Sequence, residues 1–171
     1  QFEVKGVAGN GKETPKINYN IINIYPHDTS ALTQGLQFYN GKLYEGTGDY
    51  EASSIRITDL KTGKVEKKHM MGSKKIFGEG INIFNGKIYQ LTWESNIVYV
   101  YDLNNIDKPI KTFNWPYQGW GITNNGKELI ISDGTANLYF VNEETFKVNN
   151  TIAVTEDGNT VENLNELEFI D

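Results

Sequence analysis

The chain has 171 residues and a mass of 19.4 kDa, room for one ordinary domain with a real core. Apolar residues make up 38%, charged residues 22% and aromatics 12%, too aromatic for a disordered chain and too evenly polar for a collagen-like one, and no apolar run approaches the ~20 residues that cross a bilayer. With 16 Lys and Arg against 22 Asp and Glu the net charge is −6, which argues against a nucleic-acid partner; zero Cys excludes disulfides, Cys nucleophiles and thiolate metal sites, and two His exclude a multi-His zinc centre. Residues 1–14, with Gly6, Gly9 and Gly11, read as a tail or linker, and residues 15–171 as the folded unit. The run INYNIINIYP, Ile17 to Pro26, reads as one strand at the start of that unit.

A pattern then recurs three times. GLQFY, GINIF and GITN each precede the triplet Asn-Gly-Lys, at Asn40-Gly41-Lys42, Asn85-Gly86-Lys87 and Asn125-Gly126-Lys127. Asn-Gly between alternating segments is the strongest short hairpin signal, because a type I′ turn needs positive φ at both central residues. The strands LYEGTG, IYQLTW and ELIISDG follow, then SSIRITDL, NIVYVYDL and ANLYFVNE, then KVEKKHM, PIKTFNW and FKVNNTIAV. Four strands at intervals of 45 and 40 residues match the blade of a β-propeller. No window sustains a helical period, so the expected class is all-β. The segment LNELEFID, Leu164 to Asp171, aligns with TQGLQFYN and is expected to be the first strand of a fourth unit, giving roughly three and a half blades. A lone strand at Ile17–Tyr25 would then be a closing strand, and unpaired edges predict self-association or a complementing fragment.

Equivalent positions of a repeat should carry equivalent residues where only packing matters. Gln34, Glu79, Trp120 and Asn165 start the first strand of successive units, nearest the propeller axis, and they are chemically unlike. One reading is a set of polar residues solvated by a central channel. The sharper one is a ligand pocket at the channel mouth, which the large aromatic Trp120 favours, with Trp93 at the end of its strand pointing to the same mouth. Elsewhere His27 reads as a turn residue bonded to backbone, and Asp49 and Asp133-Gly134 as turn chemistry.

The segments YPHDTSALTQGL (25–36), LYEGTG with SSIR (43–56), FGEG (77–80), YQLTW (89–93), GWGIT (119–123), SDGTANLYF (132–140) and NELEFID (165–171) resemble the plant and bacterial glutaminyl cyclases, five-bladed β-propellers. The resemblance implies conversion of N-terminal glutamine to 5-oxoproline with release of ammonia. It implies that Glu79 of FGEG transfers the proton, and that Gln34 and Asn165 supply polar groups. Phe77, Trp93 and Trp120 would be the aromatic walls. Leu32 stands where the family usually has Phe, altering a wall, and Asp49-Tyr50-Glu51 replaces a more apolar loop. The implied partner is a peptide with N-terminal glutamine. The implied location is periplasmic or secreted, though no signal peptide opens the chain, and no metal or organic cofactor is called for. Two other classes stay open from the residues alone: a propeller that binds a peptide end without turning it over, and a protein-interaction scaffold.

Overall fold

A computed structural model describes residues 18–170; the expected tail, Ile17 and Asp171 lie outside them. Three antiparallel four-stranded sheets follow in chain order. The first comprises β1 (Thr33–Tyr39), β2 (Lys42–Thr47), β3 (Ser54–Asp59) and β4 (Val65–Met70). The second comprises β5 (Gly78–Phe84), β6 (Lys87–Thr92), β7 (Ile97–Asp102) and β8 (Lys111–Asn114). The third comprises β9 (Ile122–Asn124), β10 (Leu129–Ser132), β11 (Asn137–Val141) and β12 (Val148–Ala153). Each is an up-and-down meander, as the repeat requires, and β1 lies against β5 and β5 against β9, so the first strands gather at the axis. Among the described residues there is no helix, and none therefore that could cross a membrane.

Alternating side chains place the cores between sheets. Tyr44 and Ile55 of the first sheet meet Ile81, Ile83, Ile88 and Tyr101 of the second. Tyr89, Leu91, Val98 and Val100 of the second meet Leu129, Ile131, Tyr139 and Val141 of the third, with Trp115 and Phe146. On the far face of the third sheet, Ile130, Leu138 and Val154 are covered by Val161, Leu164 and Leu167.

Two of the three Asn-Gly hairpins close as expected. Tyr39 pairs with Lys42 and Phe84 with Lys87, with φ of 46° and 79° at Asn40 and Gly41 and 47° and 74° at Asn85 and Gly86. The third differs: Asn124 pairs with Leu129 across a four-residue loop in which only Gly126 has positive φ. The reason is side-chain capture. Asn125 Oδ1 accepts the Lys127 and Glu128 N–H groups at 3.0 and 2.9 Å, a local turn that competes with the tight hairpin.

Two expected strands do not form. Asn18–Tyr25 and Leu164–Ile170 run without a ladder partner among the described residues, and an apolar alternation unpaired on both edges is not a strand. Tyr19, Ile21, Ile22 and Ile24 are exposed accordingly. A small hairpin at β13 (Thr155–Glu156) and β14 (Asn159–Thr160) was not legible as a separate element. His27 is also not a backbone-bonded turn residue. Its Nε2 lies 2.9 Å from Oε1 of the buried Glu45, which also accepts from Thr33 Oγ1 at 2.6 Å. Beside it, buried Arg56 donates to Asp28 at 2.8 Å. These contacts fasten residues 27–33 onto β2 and β3, at the entry to the strand that carries Gln34.

Candidate active site

Around the axis, the residue after each irregular position is Gly35, Gly80, Gly121 and Glu166. The glycines permit backbone to touch backbone. A Cβ on Gly35 would come within 2.8 Å of Gly80 Cα, one on Gly80 within 2.6 Å of the Trp120 oxygen, and one on Gly121 within 2.9 Å of Glu166 Cα. Gly80 N–H donates to the Trp120 oxygen at 2.9 Å, and Ser132 Oγ donates to the Asn165 oxygen at 2.6 Å while accepting from Gly121 N–H at 2.8 Å. Asn163 N–H on the Gly134 oxygen at 2.8 Å adds another tie. Thus Gln34, Glu79, Trp120 and Asn165 are brought to one end of the channel, although Trp120 and Asn165 lie outside strands.

The aromatic residues form an arc at that end. Gly48 is flanked by the Phe77 ring and Gln34 Cγ, and Tyr50 meets Phe77 edge-on at 5.4 Å. Phe77 meets Trp93 edge-on at 5.9 Å, and Trp93 N–H donates to the Phe77 oxygen at 3.0 Å. Trp93 Nε1 and Trp120 Nε1 donate to the same oxygen, Gln118 Oε1, at 3.0 and 2.9 Å. The Trp120 ring lies over Gly134. Leu32 joins through its backbone, its oxygen accepting Gly48 N–H at 2.8 Å, while its side chain is mostly solvent-exposed.

Glu79 is buried within β5. Burial first, and the nearby Glu166 carboxylate second, push its carboxyl up to about 8. Glu166 takes the place of the fourth glycine. It is exposed as a residue, and its carboxyl accepts Leu36 N–H at 3.3 Å. Burial raises it to about 7, opposed by the Leu36 N–H and reinforced by Glu168. Both carboxyls therefore keep their protons well above the ordinary carboxylate range.

Further along the channel the chemistry is different. Asn82 and Ile83 donate to Gln37 Oε1 at 3.4 and 2.6 Å, and Asn124 donates to Asn82 at 2.8 Å. These amides lie beside a cavity of about 310 Å³ that Gln37, Asn124, Glu168 and Phe169 line. Sequence reasoning missed Gln118 and Glu166 and treated Tyr50 only as a family departure. Glu166 was detectable as the non-glycine in the axial row.

Residues 3–171 match the family described as glutamine cyclotransferase. The chain belongs to that family. It is similar to the glutaminyl-peptide cyclotransferase of Arabidopsis thaliana, 41% identical over 152 residues, covering 88% of this chain and 47% of the relative. Among solved structures it is similar to the glutaminyl cyclase of Myxococcus xanthus, with a TM-score of 0.80 at 30% identity, covering 89% of this chain and 63% of that one. The WD40 domain of Neurospora crassa Pan2 shares the fold alone, with a TM-score of 0.58 at 11% identity, covering 71% of this chain and 36% of that one. The chain spans about half the length of the curated relative it matches.

Proposed function

We propose that this site serves a glutaminyl-peptide cyclotransferase, closing N-terminal glutamine to 5-oxoproline and releasing ammonia. The observation that carries the reading is Glu79: a buried carboxyl raised to about 8, on the strand that follows Phe77 and is tied by Gly80 to Trp120, in a member of this family. A substrate α-amine has a reference pKa of ~7.7–8, so proton exchange with such a carboxyl is nearly balanced in either direction. The α-nitrogen attacks the side-chain amide carbon, forming the lactam C–N bond. Its proton passes to Glu79. A proton returns from Glu79 to the departing nitrogen as the other C–N bond breaks, and ammonia leaves. Both reacting groups belong to one molecule, so holding the folded conformer supplies the proximity effect. Gln34 and Asn165 would anchor the peptide or the developing oxyanion.

Ammonia release from a glutamine-initiated dipeptide tests this; binding without release would favour a non-catalytic propeller. An extracytoplasmic location belongs to the same proposal, and fractionation of the source cells checks it. Trp120→Ala should raise KM about tenfold with kcat nearly unchanged, since ~1.4 kcal/mol of ring contact shared by ground and transition states is a factor of ten. An unchanged KM with a collapsed melting temperature would make Trp120 a core residue.

Self-association is proposed as well. Ile21, Ile22 and Ile24 are at least 72% exposed, and Leu36 and Phe38 of β1 and Phe169 and Ile170 add to the exposed apolar surface. Apolar side chains left open to water in this way offer a surface to another chain. Light scattering behind size exclusion should report a species heavier than 19.4 kDa, or one that a complementing fragment returns to a defined complex. A well-behaved monomer would refute this.

A further inference from the structure

All 3 tryptophans of the chain direct their indole N–H groups at one residue. Trp93, which follows β6, and Trp120, which precedes β9, donate to Gln118 Oε1, while Trp115, which follows β8, donates to the Gln118 backbone oxygen at 3.0 Å. A side-chain amide oxygen has two acceptor lobes, so two indole donors saturate it. The amide is oriented from its other side, where Nε2 donates to Glu94 Oε1 at 3.4 Å. The backbone is fixed too: Gly119 N–H is shared between the Thr92 and Trp93 oxygens, each at 3.1 Å. Gln118 therefore joins an indole of the second blade to one of the third at a point anchored to the end of β6.

We infer that Gln118 is a positioning residue whose carboxamide oxygen sets the mutual orientation of Trp93 and Trp120 as walls of the glutamine pocket. The inference rests on the function proposed above. It follows that both indoles offer ring faces to a ligand, because their N–H donors are already occupied.

The protein labelled with ¹⁵N-tryptophan should give three indole N–H signals. In Gln118→Leu the Trp93 and Trp120 signals should move upfield and exchange faster with D₂O. The Trp115 signal should stay, because its acceptor is backbone, and so it reports that the fold survives. KM for a glutaminyl-alanine dipeptide should rise about five- to tenfold, the loss of two neutral hydrogen bonds' worth of alignment, with kcat changed far less. The paired exchange Gln118→Glu with Glu94→Gln retains an acceptor for both indoles and a donor–acceptor pair behind it. It should restore the two signals and bring KM back towards wild type. Unmoved Trp93 and Trp120 signals beside an intact Trp115 signal would overturn the inference, as would moved signals with unchanged KM. A wild-type protein that neither binds nor turns over the dipeptide would overturn the functional reading instead. The indole signals alone would then decide whether Gln118 orients the two rings.

Discussion

Glu79→Gln should lower ammonia release from a glutaminyl dipeptide by roughly 10²–10⁴-fold, the usual contribution of a general acid–base, while leaving the fold in place. The substitution keeps the shape of the buried side chain and removes only the titrating proton. It should also change how stability responds to pH. In the folded protein the Glu79 carboxyl is raised to about 8 from an ordinary 4.5, so the native state keeps a proton that the unfolded chain has released. The contribution of this group is fully present below pH 4.5 and is lost as pH rises through about 8. The amide that replaces the carboxyl cannot ionise, so the variant should gain in melting temperature relative to wild type across that window. Near-native kcat in the variant would remove Glu79 from the proton path, and parallel pH–stability curves would contradict its raised pKa.

Gly121→Ala should destabilise the protein by about 1–3 kcal/mol, the range for forcing a methyl into a packed site. The cause is steric and local. The new Cβ would strike the Asn165 carbonyl and approach Glu166 Cα at 2.9 Å, and Gly121 does not itself need a left-handed φ. The struck segment cannot retreat freely, because the Asn165 oxygen is held by Ser132 and Leu164 and Leu167 pack on the third sheet. If it does retreat, Asn165 and Glu166 leave the mouth together, so turnover should fall further than stability alone accounts for. Thermal melts and ammonia assays run below the melting point separate the two effects. A variant as stable and as active as wild type would show that the contact between the third blade and residues 163–167 is loose.

Sequence alone exposed the blades because each records itself twice, in period-two alternation and in an Asn-Gly turn. The same repeat singles out Gln34, Glu79, Trp120 and Asn165 as candidates, because an irregular residue is visible against its equivalents. What stayed hidden depends on partners. The apolar alternation at Ile21, Ile22 and Ile24 states a capacity to pair, and whether a neighbouring strand exists is not written in those residues. Asn125 carries the same dipeptide as Asn40 and Asn85, yet its side chain finds two N–H donors that a tight hairpin would not present. Gln118 was invisible for a related reason: its role is conferred by indoles that arrive from separate blades.

Because the apolar contacts lie between sheets, the molecule behaves energetically as a short stack in which each layer is held by the layers it touches. Among the described residues the middle layer, β5–β8, is clasped on both faces, whereas β1–β4 shares one core with it and β9–β12 carries residues 161–167 on its far side. Among the described strands, β5 should therefore be among the last to let water in. Glu79 sits on that strand. The carboxyl proposed to carry the proton thus hangs from the best-covered strand among the described residues.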